Sequence, residues 1–411
     1  MVKILQINTT IDRSTGSIVQ AIGEQVMAEG WQSIIAFSSR YRNQNSQSQL
    51  LPIGSRLDAQ IHALQTRLFD NHGFCSIRAT KNLITRIKVE KPDIVHLHNI
   101  HGYYLNITLL FDFLRKSNTA TVWTLHDCWA MTGHCSHFDA IGCMKWKTGC
   151  YNCELKRDYP SSIFFDRSQI NWIRKKEIFT SLTNLKIVPV SFWLESIVQN
   201  SFLKKCSTKV IHNGIDLDIF SPIQNNFIRN RYDLGKHLII LGVATGWFEG
   251  GGLRRYKEFM KLSSMLDDNY RIILIGLEEF QIKDLPLNVI GLQRTGDPRE
   301  LAEFYSAADV FVNPTYQDSL PTVNMEALAC GTPVITYNTG GSPEIIDKGT
   351  GWVVEKGDIV SMVNCIKHLR QESIEERKNR RAACRKRAEM YFNKYERFHD
   401  YIVLYKQILH L

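Results

Sequence analysis

The stretch that decides the fold is DSLPTVNMEALACGTPVI, Asp318–Ile335. Pro321 suits the first turn of a helix, where its missing N–H costs nothing, and Gly331 suits the position just past a helix end. Together they predict a short helix over VNMEALAC that runs into the apolar strand PVITY. Free N–H groups at its start, at Leu320, Thr322 and Val323, are expected to receive an anion such as a diphosphate. Asp318 precedes that anion site and Glu326 follows it. Carboxylates are poor phosphate ligands but good acceptors for sugar hydroxyls on either side of one. Each acid alone is an ordinary helical charge; the pair, with GGSPEI close behind, outlines a nucleotide-sugar site.

Outward from this block, short β-branched runs alternate with longer amphipathic segments, the pattern of βαβ units and parallel sheets. KILQI, SIIAF, DIVHLH, TVWTL and KIVPVS read as strands in the first half; HLIILGVA, RIILIG, NVIGL, DVFVNP and PVITY repeat the scheme in the second. Two doubly wound Rossmann-like domains facing a deep cleft fit this better than one large sheet. The join is expected near HNGIDLDIFSPIQNN. The C-terminal segment YFNKYERFHDYIVLYKQILHL has helical spacing and reads as a packing helix in preference to a membrane anchor.

The chain has 411 residues, a formal net charge of +9 and 44% hydrophobic residues. This is ordinary globular composition, with a basic bias that favours anionic partners. No segment approaches the roughly 18–20 apolar residues of a membrane span, and the N-terminus lacks a signal-peptide core. A cytoplasmic protein is expected, with contact at the inner face of the cell membrane left open. No GxGxxG follows an early strand, which argues against an NAD-dependent oxidoreductase.

The block DSLPTVNMEALACGTPVITYNTGGSPEII resembles the retaining GT-B glycosyltransferases of family 4, in the branch that makes bacterial surface polysaccharides. NGIDLDIFSP, STGSIVQAIGEQVMAEGW and TLHDCWAMTGHC extend the resemblance over nearly the whole chain. It implies an acceptor-binding domain over 1–217, a nucleotide-sugar-binding domain over 218–391, and a helix 392–411 packing back onto the first. It also implies transfer of a sugar from a nucleoside-diphosphate sugar to a glycan or polyprenyl-diphosphate-linked acceptor, with no nucleic acid involved. A nucleotide-sugar epimerase on the same fold and a homologue without turnover are the alternatives.

By the same resemblance Glu326 accepts from the nucleotide ribose, Asp318 holds a donor-sugar hydroxyl and His126 lies beside that sugar. Negative charge on the leaving diphosphate calls for fixed cations. GWFEGGGLRRYKEF offers Arg254, Arg255 and Lys257, in that order of preference, although its glycines precede its arginines. Asp216 and Asp218 in DLD read as an interdomain turn, so no catalytic metal or other cofactor is expected. Gly16 in STGS would allow close backbone approach to the donor phosphate or the acceptor, though a tight turn also accounts for it, and Glu344 in GGSPEI is placed near the donor. His98, Asn99, His101, Tyr103, Tyr104 and Asp127 form a candidate acceptor surface; loop packing would account for them equally.

Cys135, Cys143, Cys150 and Cys153 fall within nineteen residues and end in a CxxC pair. A structural zinc site is the candidate reading, with Cys128, His134 and His137 as competing ligands. Buried free thiols or a redox pair remain the alternatives.

Overall fold

The computed structural model describes residues 1–41, 45–244, 246–247 and 252–411, with 13, 14 and 252–254 described by their backbone alone. The chain divides into two compact units, Met1–Asn213 with Tyr395–Leu411, and Gly214–Lys394.

The first unit holds β1 (Lys3–Asn8), β2 (Gln32–Ser38), β3 (Gln49–Ile53), β4 (Ile94–Leu97), β5 (Ala120–Leu125), β6 (Leu185–Pro189) and β7 (Ser207–Thr208). All pair in parallel, in the order β3-β2-β1-β4-β5-β6-β7. Strand order reverses between β1 and β4, which leaves a crevice beyond their carboxyl ends for a ligand. Helix Lys394–Leu409 buries Phe398, Tyr401, Ile402, Leu404 and Tyr405 against Ile4, Ile22, Ile94 and Val122 of this unit. Packing, not membrane insertion, is thus the role of its apolar face. No helix among the described residues is long and apolar enough to cross a membrane.

The second unit holds β8 (Leu238–Val243), β9 (Tyr270–Ile275), β10 (Val289–Leu292), β11 (Val310–Asn313), β12 (Val334–Tyr337) and β13 (Gly351–Val354), again all parallel. Their order is β10-β9-β8-β11-β12-β13, so the reversal lies between β8 and β11. All ten strands expected from the sequence are present. β3, β7 and β13 were not anticipated.

Candidate active site

Strand alternation assembles the polar heart of the first unit. Gln6 pairs in register with His96, and His96 with Val122. With a side-chain period of two, Gln6, His96, Thr124 and, just past the strand ends, His98 and His126 share one face. The C-terminal helix covers the lower part of that face: Tyr405 Oη meets His96 Nδ1 at 2.6 Å, and His96 Nε2 meets Thr124 Oγ1 at 2.8 Å.

Above them runs a relay. Gln6 Nε2 donates to the Val19 carbonyl, leaving Gln6 Oε1 to accept from His98 Nε2 at 3.1 Å. His98 Nδ1 must then accept, and its partner at 3.1 Å is His126 Nε2. A neutral His126 therefore carries its proton on Nε2 and keeps Nδ1 as an acceptor. Burial lowers His126 to about 4, with Asp127 opposing the fall, so the ring is neutral at pH 7. The resulting group suits orienting a hydroxyl rather than offering a cation. Replacing His98 by Leu removes the tautomer control. The expected result is a kcat reduced about tenfold with nucleotide affinity unchanged, checked by steady-state kinetics beside nucleotide titration; an unchanged kcat removes the relay.

The residues expected to form an acceptor surface separate into two sets. His98 and Tyr104 are buried, the latter with its hydroxyl on the Asn99 carbonyl at 2.8 Å, so both support the loop from behind. Asn99, Tyr103 and Asp127 are partly exposed. Asp127 accepts from His101 Nε2 at 2.7 Å and from the Trp129 N–H at 2.8 Å. Burial alone would raise this carboxyl, but His101 and the hydrogen bonds hold it down at about 2. His101 also meets Tyr159 Oη at 3.1 Å. Lys175, unremarked in the sequence, is buried and donates to the Trp129 and Thr132 carbonyls at 2.8 and 3.1 Å, which fixes the turn after Asp127. Gly16 is buried, and a Cβ there would lie 2.5 Å from the Ile11 carbonyl carbon. Its close approach is to its own preceding loop.

In the second unit helix Thr322–Ala329 follows β11. Pro321 stands at the N-cap, one residue before the expected first turn, and Gly331 ends the helix at φ 75°. Asp318 Oδ1 accepts from the Leu320 N–H at 3.1 Å, so that N–H, expected to face an anion, is already engaged. Thr322 and Val323 at the helix start are partly exposed. The loop after β12 folds onto Asp318, whose carbonyl accepts from the Gly341 N–H at 3.3 Å. At Gly340, φ 55°, a Cβ would lie 1.7 Å from that carbonyl oxygen. Gly340 is therefore a packing requirement of the acidic loop. Four buried polar atoms here, Ser319 Oγ, Asn324 Nδ2, Thr339 Oγ1 and Ser342 Oγ, have no hydrogen-bond partner among the described residues.

Glu326 is partly buried and accepts from Tyr305 Oη at 3.1 Å. Burial raises its carboxyl to about 7, against the pull of hydrogen bonds from Tyr305 and Thr322. Burial lowers the Arg255 guanidinium, and the charge of Asp318 opposes the fall. Lys257 is exposed on the same helix, Gly252–Ser264, and the Arg254 side chain lies outside the described residues. Next along this helix, the buried Glu258 accepts from Tyr316 Oη and Tyr337 Oη at 2.9 and 3.0 Å, anchoring the helix to the loop before Asp318. Nothing in the sequence distinguished Glu258 from a surface glutamate. Glu344 lies partly buried in the turn Ser342–Ile345, where Arg387 donates to its carbonyl at 3.0 Å. Asp216 takes the N–H groups of Asp218 and Ile219 and pairs with Lys394, a structural turn.

Zinc is not supported by the cysteine cluster. Cys135, Cys143, Cys150 and Cys153 line one small cavity with Phe138, Trp146 and His134. All four are free, and among the described residues no group of three or more His, Cys, Asp or Glu is arranged to hold a metal ion. Cys135 and Cys153 are hydrogen-bonded to each other, which raises the first thiol and lowers the second. His134 is committed to Asp70 through Nδ1 at 2.6 Å.

Comparison with known proteins gives consistent findings. Residues 18–219 match the family described as Glycosyltransferase Family 4, and residues 250–389 match Glycosyl transferases group 1. WcaC of Escherichia coli (strain K12), provisionally named a colanic acid biosynthesis glycosyl transferase, is 27% identical over 323 residues, 76% of each chain. The Staphylococcus aureus capsular polysaccharide biosynthesis glycosyltransferase CapM is 28% identical over 177 residues, 40% of this chain and 45% of its own. Among solved structures, sucrose-phosphate synthase from Thermosynechococcus elongatus superposes with TM-score 0.71 at 18% identity, covering 100% of this chain and 99% of the other. Anabaena HepE in complex with UDP gives 0.69 at 12% identity, covering 99% and 100%. At these identities the two structures speak for the fold alone.

Proposed function

This chain belongs to the family 4 and group 1 glycosyltransferases and has their GT-B fold, and from that premise we propose that it is a retaining, metal-independent transferase using a nucleoside-diphosphate sugar. The acceptor is a surface-polysaccharide precursor, either a glycan or a polyprenyl-diphosphate-linked oligosaccharide. One observation carries the reading: the start of helix Thr322–Ala329 stands between two acids, Asp318, whose charge acts on Arg255, and the partly buried Glu326, which accepts from Tyr305 Oη at 3.1 Å.

In this reading Glu326 accepts the ribose hydroxyls and Asp318 a hydroxyl of the donor sugar. The hydroxyls of Ser319, Thr339 and Ser342 are donors suited to phosphate oxygens, and Glu344 stands beside them in the glycine loop. His126 orients the donor sugar through Nδ1. Asn99, Tyr103 and Asp127 belong to the acceptor side. As the bond from the anomeric carbon to the leaving phosphate oxygen breaks, the acceptor oxygen bonds that carbon on the same face. The acceptor proton passes to the departing phosphate. Arg255, and Arg254 beside it in sequence, offset the charge that develops there.

UDP, the ligand named for the HepE structure, is the first nucleotide to test. In the presence of a chelator, UDP at about 100 times its Kd should stabilise the fold by about 2.7 kcal/mol, read as a raised Tm. Transfer with retained anomeric configuration, followed by NMR, should proceed in the same buffer. If no nucleoside diphosphate raises Tm, the donor reading falls; if only added magnesium restores transfer, metal independence falls. Conversion of the donor to an isomeric nucleotide sugar without any acceptor would instead identify an epimerase.

A further inference from the structure

Helix Arg56–Phe69 is turned outside in. The residues it buries are Ala59, His62 and Thr66. Leu57, Ile61, Leu64 and Phe69 are 63%, 47%, 57% and 41% exposed. The first three recur at helical spacing, so they form one apolar stripe directed outward. Helix Ile107–Ser117 of the same unit does the reverse, burying Ile107, Leu110, Phe111 and Leu114. Packing within the unit accounts for the second helix and leaves the stripe of the first unexplained.

The stripe continues into another segment. Ile163, Phe164 and Phe165 are each at least half exposed. The Ile163 N–H donates to the Arg67 carbonyl at 2.8 Å, and the Phe69 and Phe165 rings stack at 5.9 Å. Contiguous exposed apolar side chains from two segments mark an interaction surface.

Charge identifies what the surface meets. Seven lysines and arginines stand against three acidic residues from Arg56 to Lys91. Of the three acids, Asp70 is buried on His134 and Asp58 is held by Ser55 at the helix start. Arg56 and Arg67 are exposed on the same helix as the apolar side chains, and the Arg167 guanidinium lies 5.9 Å from the Phe165 ring centroid. Apolar side chains interleaved with arginines match the boundary between acyl chains and anionic headgroups.

We propose that this face docks on an anionic phospholipid bilayer, with Leu57, Ile61, Leu64 and Phe164 entering the acyl boundary and the arginines at lipid phosphates. Arg67 is close enough to Tyr103 to act on its phenol, and Tyr103 meets Tyr159 edge-on at 6.0 Å. The docking face therefore borders the aromatic loop assigned above to the acceptor. The purpose of docking rests on that assignment, because a lipid-linked acceptor would arrive at this border; the docking itself does not.

The test is sedimentation of the full chain with vesicles of phosphatidylcholine containing about a third phosphatidylglycerol, and with phosphatidylcholine alone. The chain should partition onto the anionic vesicles and be released by high salt. The triple variant Leu57→Gln/Ile61→Gln/Leu64→Gln and the double variant Phe164→Ser/Phe165→Ser should each weaken binding about tenfold or more. Because all five side chains are exposed, Tm and the UDP response should stay unchanged. No binding to anionic vesicles, or variants that bind like the parent, overturns the proposal. A solution dimer that the triple variant disrupts, without vesicle binding, assigns the face to a second copy and also overturns it. Vesicle binding without a UDP response would remove the donor reading and leave docking intact.

Discussion

Replacing Glu326 by Ala is expected to lower kcat/KM for the donor by roughly 10²- to 10³-fold, the loss of about two hydrogen bonds to a charged acceptor. Steady-state kinetics over a range of donor concentrations checks this, and an unchanged kcat/KM excludes Glu326 from the donor site. Its titration adds a second signature. Only the ionised carboxylate offers both oxygens as acceptors, and burial places the carboxyl at about 7. The donor kcat/KM should therefore rise as pH increases through about 7, and the Glu326→Gln variant should lose that limb. Stability runs the other way. The folded carboxyl titrates above its ordinary value of 4.5, so its contribution is full below about pH 4.5 and is lost as pH rises through about 7. A Gln at this position should melt higher than the parent above neutral pH.

Replacing Gly340 by Ala should cost about 2–4 kcal/mol of stability, because strain at positive φ adds to a steric overlap. The new Cβ would stand 1.7 Å from the Asp318 carbonyl oxygen at φ 55°, and backbone cannot yield as a flexible side chain can. Displacing that loop also moves Asp318 relative to Arg255, so donor affinity should fall together with Tm. Gly142 is the comparison: its φ is 63°, but nothing lies within 4 Å of the Cβ position. Gly142→Ala should cost only about 1–2 kcal/mol, the strain of the left-handed conformation. Equal losses at the two positions, measured by denaturant unfolding, would show that the contact with Asp318 contributes nothing.

How much of this was legible in the sequence follows from where each residue stands. Strands inside a parallel sheet are covered on both faces and read as apolar runs, so IVHL, TVWTL, LIILGV and VITY were found. The strands that escaped, β3, β7 and β13, all lie at sheet edges. β3 alternates exposed and buried positions and contains a proline, and β7 has two residues. Edge strands need not be apolar throughout.

At the site, Asp318 and Glu326 were visible because Pro321 and Gly331 punctuate the helix between them. The occupied Leu320 N–H was not, because a carboxylate folding back on its own loop leaves no separate signature. Gln6, His98 and His126 lie on segments far apart in sequence, and only strand register brings them onto one face. A glutamine between the apolar residues Leu5 and Ile7 was the available hint. The cysteine spacing suggested a metal, yet it records only that four thiols approach one cavity. Arg255 and Lys257 differ by two positions on a helix, which is enough to leave one partly buried within reach of the Asp318 charge and the other exposed.

The return of Phe398, Tyr401, Ile402, Leu404 and Tyr405 to the first unit has a consequence for biosynthesis. Proteins are made from the N-terminus, and domains generally fold as they emerge. Here the first unit lacks part of its own interior until Tyr395–Leu411 are translated. The middle of the chain can close earlier than the beginning, and a polypeptide released before Tyr395 would hold a finished second unit and an open first one, a substrate for chaperones.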